Sequence, residues 1–246
     1  MKRLAATALF TALSFAVLIR AEEPKGDAKK LPATVTPAPK DPQRHSEFVA
    51  LTKQGNIELL FLGDSITNRW RNPDQKQSPG GKQFWDEYFA PLKAANFGIG
   101  GDKTQNVLWR IQNGELDGIA PKLVVLMIGT NNTESKEDVA LGIETIVKEI
   151  RIRSPQAKIL LLAIFPRGDK PDNPARVKND AVNALISKLD DGGAHVKYVD
   201  IGTKFLDASG KLRRELMPDV LHPNTKGYEV WTDAMLPTVK EMMGVK

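Results

Sequence analysis

The chain has 246 residues, 41% of them hydrophobic, enough to bury one substantial core, and a formal net charge of +5. Lys2, Arg3 and Arg20 of that basic excess flank an N-terminal apolar run, so the remainder is close to neutral and gives no electrostatic reason to expect a nucleic-acid partner. Cysteine is absent, which excludes a disulfide framework and a lipid-modified cysteine anchor.

Residues 1–21 place Lys2 and Arg3 before an apolar run over 4–19 and end on the small Ala21. That is the pattern of an export signal, and it predicts delivery to the periplasm or the exterior. Ile19, two residues before Ala21, departs from the small-residue rule for cleavage, and the run is a little short for a span. An uncleaved N-terminal anchor is therefore the alternative, and no stable membrane span is expected once the leader is removed. Residues 22–45 carry Pro24, Pro32, Pro37, Pro39 and Pro42 among Lys, Ala and Thr, and read as an extended, flexible linker. A single domain follows over 46–246.

Within it, Phe48, Val49 and Leu51 suggest a short helix packed on a first strand over 57–62. Leu59 to Leu62 are continuously apolar, as burial on both faces of a parallel sheet requires. The chain then turns at Gly63-Asp64-Ser65. Residues 69–82, broken by Pro73, Pro79, Gly80 and Gly81, read as a loop on the rim of a site. An amphipathic helix over 84–89 and a short strand over 95–98 come next, leading into Gly100-Gly101-Asp102. A helix over 104–113 is capped by Gly114. The strand over 123–128 is apolar throughout and ends at Gly129-Thr130-Asn131-Asn132. Ser135 predicts a helix N-cap with Asp138 completing a capping box, followed by Val139, Ile143, Ile146, Val147 and Ile150 at helical spacing. A buried strand over 158–164 is stopped by Pro166; a helix over 177–189, a strand over 196–201 and a helix over 225–243 complete the domain. Strands alternating with helices predict one three-layer α/β/α domain on a parallel, doubly wound sheet with right-handed crossovers.

In such sheets ligands bind beyond the carboxyl ends of the strands, where Ser65 stands. A serine hydroxyl needs a positioned base and oxyanion stabilisation to act as a nucleophile. Of the His residues, His45 falls in the linker and His195 shows no partner pattern, whereas His222 follows Asp219 by three positions just before a helix. That spacing lets a carboxylate reach Nδ1 and leaves Nε2 free for Ser65, so the roles predicted are nucleophile for Ser65, acid–base for His222 and orienting carboxylate for Asp219. The backbone N–H groups of Ser65 and Gly101 and the amide of Asn131 are the candidate oxyanion donors.

Each block has a plainer reading. Gly100-Gly101-Asp102 can be tight-turn chemistry or a phosphate loop, although it matches neither the dinucleotide fingerprint nor the spaced Gly-Lys-Ser/Thr of a P-loop. Gly129 to Asn132 can be an Asx-turn, and Asp64 an acceptor that stiffens its own turn. Scattered His and no Cys leave no metal-ligand set, so no metal is expected. The four Trp read as core by default, with Trp70, in the loop after Ser65, as a candidate substrate contact. Arg167, at a strand end, is a second candidate that could equally pair on the surface.

Gly-Asp-Ser, Gly, Gly-x-Asn and Asp-x-x-His in this order resemble the blocks of the SGNH (GDSL-type) hydrolases. Residues 89–102, 107–116, 129–132 and 165–171 further resemble the catalytic subunits of the intracellular platelet-activating-factor acetylhydrolases. The resemblance implies a flavodoxin-like five-stranded sheet and cofactor-free hydrolysis of a short acyl, typically acetyl, ester. It carries the nucleophile to Ser65, the oxyanion donors to Gly101 and Asn131, and the acid–base pair to Asp219 and His222. Two departures matter: the export signal, and a loop over 69–82 longer than in those subunits. An O-acetylated carbohydrate is as much expected as the substrate as a lipid ester. The competing readings are a lysophospholipase or thioesterase acting on longer acyl chains, and a non-enzymatic carbohydrate-binding module on the same fold. The alcohol half of the ester and the oligomeric state, a homodimer among the options, are left open.

Overall fold

The computed structural model describes residues 30–72 and 80–245. The expected leader, the first part of the expected linker and residues 73–79 of the expected rim loop lie outside the described residues.

A five-stranded parallel sheet forms the centre, in the order β2-β1-β3-β4-β5. Its strands are β1 (Leu59–Gly63), β2 (Ala94–Gly98), β3 (Leu123–Met127), β4 (Lys158–Leu162) and β5 (Val196–Val199). Strand periodicity divides the core. Leu60, Leu62, Val124 and Leu126 join one cluster with the inward residues of α4 (Thr104–Arg110), α5 (Lys136–Arg153) and α6 (Pro174–Ile186). Leu59, Phe61, Leu123 and Val125 face the opposite layer, which includes Tyr228, Trp231, Met235 and Val239 of α7 (Thr225–Met243). Each such side chain stabilises the fold by about 1.5–3 kcal/mol.

The N-cap predicted at Ser135 and the glycine predicted to end the earlier helix are both present, the former without the reciprocal Asp138 side-chain bond of a capping box. The Ser135 hydroxyl accepts the Asp138 N–H at 3.1 Å and opens α5. Gly114, at φ +109°, turns the chain out of the predicted helix, whose last residues (Ile111–Glu115) widen into a π-turn after α4.

The packed body begins earlier than the sequence suggested. Helix α1 spans Pro42–Gln54, with Asp41 as its N-cap, so much of the residue 40–45 region is not extended. His45 is buried, and its Nδ1 lies 3.0 Å from the Glu115 carboxylate. Upstream, the Thr104 hydroxyl donates to Thr34 O at 3.1 Å and Ala38 N–H donates to Gln105 O at 3.1 Å, laying residues 34–40 on α4. Proline enrichment mimics a linker here because proline suits any extended strap, free or bound.

Candidate active site

The register aligns Gly63 with Gly98 on one side and Met127 on the other. The loops carrying Ser65, Gly101 and Asn131 therefore leave the same edge of three adjacent strands. Ser65 opens the short helix α2 (Ser65–Asn68), which precedes the single-turn α3 (Lys82–Phe84), and the Asp64 side chain caps α2 by accepting the Ile66 N–H at 2.9 Å. The same turn is held from α7, where the Tyr228 hydroxyl donates to Ile66 O at 2.6 Å. Asp64 is fully buried, and that burial pushes its carboxyl up to about 7 despite the Ile66 N–H. It is the turn-stiffening acceptor anticipated from the sequence.

His222 reaches Ser65 from the other end of the chain. Its Nε2 lies 2.9 Å from Ser65 Oγ, and its Nδ1 lies 2.7 Å from Asp219 Oδ2. Asp219 Oδ1 accepts the N–H groups of Leu221 at 3.1 Å and His222 at 2.7 Å, so one carboxylate fixes both the loop and the ring. Between them Val220 adopts φ +55°, a region that costs a β-branched residue about 1–3 kcal/mol. The surrounding hydrogen bonds, Val220 N–H to Met217 O and Gly168 N–H to Val220 O, hold it there.

Burial lowers the His222 pKa below its ordinary value; the Asp219 hydrogen bond opposes this, while Arg69 and Arg167 reinforce it. Burial also pushes the Asp219 carboxyl up, but the backbone and ring hydrogen bonds from His222 outweigh it and hold the group below the usual range. The imidazole is thus neutral near pH 7 and offers Nε2 as an acceptor to the hydroxyl.

Gly101, at φ +73°, sits in a conformation that favours glycine. Asn131 is joined to this loop, its amide donating to Asp102 O at 3.0 Å. The neighbouring Asn132 accepts the Thr104 N–H at 3.1 Å, tying the β3 loop to the start of α4. Behind these loops Asp102 is buried against Arg110, 3.0 Å away; burial pushes its carboxyl up to about 6. Arg110 also pairs with Glu115, which pairs with His45.

The two looser predictions separate. Trp70 is fully buried in an aromatic cluster, with Tyr228 and Trp231 ring centroids at 4.6 and 4.9 Å, and does not line a substrate surface. Its neighbour Arg69 bears on the site instead: its backbone N–H donates to Ser65 O one helical turn back, and its positive charge acts on His222. Arg167 does lie at the site, its guanidinium donating to Thr130 O at 2.8 Å, where it props the Asn131 loop. His195 pairs with Asp191 in an exposed turn. The sequence reading missed Lys40 and Lys178, which donate to Gly100 O and Asn132 O, and the left-handed Val220. None carries a motif; only their partners reveal them.

Residues 61–230 match the GDSL-like lipase/acylhydrolase family. Platelet-activating factor acetylhydrolase IB subunit alpha2 of Rattus norvegicus is 42% identical over 212 residues, covering 83% of this chain and 87% of that subunit. The alpha1 subunit of Bos taurus is 40% identical over 185 residues, 75% of each chain. Among solved structures, the acetylxylan esterase Axe2 of Geobacillus stearothermophilus superposes with a TM-score of 0.56 at 20% identity, covering 79% of this chain and 97% of that one. It shares the fold.

Proposed function

This chain belongs to the GDSL-like lipase/acylhydrolase family and is a carboxylic ester hydrolase; from that premise we propose that it is a serine esterase selective for short acyl, chiefly acetyl, esters. The observation that carries the reading is the continuous relay from Ser65 Oγ to His222 Nε2 at 2.9 Å and from His222 Nδ1 to Asp219 at 2.7 Å. Membership of an acylhydrolase family sets aside the non-enzymatic carbohydrate-binding module.

Ser65 attacks the ester carbonyl as His222 Nε2 takes its proton, and Asp219 stabilises the imidazolium that results. The tetrahedral oxyanion is held by the N–H groups of Ser65 and Gly101 and by the Asn131 amide; the second N–H of that amide is the one available, since the first is committed to Asp102 O. His222 returns the proton to the leaving alcohol. Water then attacks the acyl-enzyme with His222 as base, releasing acetate and Ser65. No cofactor takes part.

The acetyl preference is supported by the relatives of 40–42% identity, whose names describe acetylhydrolases. The alcohol half is a carbohydrate or lipid hydroxyl, and the N-terminal apolar run supports action outside the cytoplasm. Rates across p-nitrophenyl esters from acetate to octanoate, for wild type and Ser65→Ala, test the chemistry. We expect a maximum at acetate and loss of turnover by about 10⁴-fold or more in the variant. A maximum at octanoate favours the lysophospholipase or thioesterase reading, and full activity without Ser65 Oγ removes the mechanism. Acetate release from O-acetylated glycans and acetylated lipids distinguishes the alcohols, and the mass of the mature N-terminus reports cleavage at Ala21.

A further inference from the structure

We propose that Lys40 is a positioning residue for catalysis: it fixes and polarises the peptide unit that presents the Gly101 N–H to the oxyanion. The inference rests on the reading of Gly101 as an oxyanion donor given above.

The Lys40 ammonium donates to Gly100 O at 2.8 Å. That carbonyl and the Gly101 N–H belong to one peptide unit. Across a trans peptide they point in opposite directions, so a cation on the oxygen stands in line behind the donor. Withdrawing electron density through the carbonyl makes the N–H a stronger donor, as in any chained hydrogen bond. The placement is tight: a Cβ built on Gly101 would lie 2.8 Å from Lys40 Nζ. The ammonium also lies 3.8 Å from Asp102 Oδ1, so it spans three successive residues of the loop.

Position matters as much as charge. This peptide lies between two glycines; Gly101 is at φ +73°, and a Cβ on Gly100 would meet nothing within 4 Å. Sterics therefore do little to stop the unit rotating so that its carbonyl, not its N–H, faces the site. An oxyanion facing a carbonyl would be repelled. The ammonium opposes that rotation because rotating would break its bond and bring the N–H toward a cation.

Lys40 is itself held. Ala38 N–H donates to Gln105 O at 3.1 Å, and the Asn106 amide donates to Ala38 O at 3.0 Å, pinning the strap to α4. Asp41 then caps α1, so the lysine is fixed on both sides. The strap precedes the matched family region of 61–230, so an upstream segment completes the hole.

The test compares Lys40→Met, Lys40→Gln and Lys40→Arg with the full-length parent on p-nitrophenyl acetate. It also measures inhibition by a trifluoromethyl ketone, whose hemiketal adduct with the serine places an oxyanion in the hole. We expect Lys40→Met to lower kcat about 10-fold or more with KM within about twofold, to weaken the ketone by a similar factor, and to leave Tm unchanged. Lys40→Gln should fall between, and Lys40→Arg should recover most of kcat. Wild-type kcat in Lys40→Met overturns the proposal. So does a loss of kcat that follows a fall in Tm, that arginine does not rescue, or that leaves ketone binding intact. Ser65→Ala in the same assay separates the two readings: if it is inactive while Lys40→Met is normal, only the role of Lys40 fails; if it keeps full activity, both fail.

Discussion

Replacing Asp219 by asparagine or by alanine should have unequal effects, and the hydrogen bonds say why. In the native loop Oδ1 accepts two backbone N–H groups, from Leu221 and His222, while Oδ2 accepts from the ring Nδ1. An asparagine has one carbonyl oxygen, and the two backbone donors claim it. Its NH₂ then faces His222 Nδ1, so the ring must carry its proton on Nε2, where it cannot take one from Ser65. Turning the amide over instead breaks both backbone bonds, at about 2–3 kcal/mol in total. The charge-assisted bond that steadies the imidazolium is lost as well, worth about 1.5–3 kcal/mol. Together these amount to roughly 3.5–6 kcal/mol, a fall in kcat of about 400-fold to 2 × 10⁴-fold. Alanine removes the imidazolium term and both backbone bonds, the latter in ground state and transition state alike, but imposes no tautomer. The Asp219 side chain is 51% exposed, so water can enter and accept from Nδ1; a fall of about 10–10² is expected. The assay is steady-state and burst kinetics on p-nitrophenyl acetate at pH 8, with thermal melts to exclude unfolding. If Asp219→Asn is as active as wild type, or faster than Asp219→Ala, the argument from tautomer and hydrogen bonding is wrong.

Three further outcomes follow from the same geometry. Because burial together with Arg69 and Arg167 lowers the His222 pKa, the acid limb of kcat/KM should have its midpoint below pH 6.5, with the neutral, active imidazole dominant above it; Arg69→Gln should move that midpoint upward, and an unmoved limb would show that Arg69 does not act on the ring. Gly63→Ala should cost about 1–3 kcal/mol in denaturant unfolding and about 10²-fold in kcat, since its Cβ would overlap Thr67 Oγ1 and lie 2.5 Å from Met127 O, displacing the turn that carries Ser65; unchanged kcat would mean that the turn tolerates the shift. Trp70→Phe should lower stability by about 1–3 kcal/mol while leaving the ratio of kcat/KM between acetate and butyrate esters unaltered; a changed ratio would return Trp70 to the substrate surface.

What the sequence by itself determined was whatever a short stretch can encode. The apolar runs of β1 and β3 announce burial on both faces, Ser135 announces a helix start, and Gly114 a helix end. Asp219 and His222 could be read as partners because three positions separate them, and Ser65 as the hydroxyl because it ends a buried strand. What only the tertiary structure decided was the identity of partners remote along the chain. Lys40 meets Gly100 across 60 positions and His45 meets Glu115 across 70, and both lie in or beside a stretch whose prolines suggest a free linker. Trp70 could be taken for a rim residue until the aromatic layer closed over it, and nothing local marks Val220 for a left-handed backbone. The physical reason is that burial periodicity and capping repeat within a turn or a strand and leave a pattern. A single ammonium on a single carbonyl leaves none until the packing of the upstream strap on α4 brings the two together.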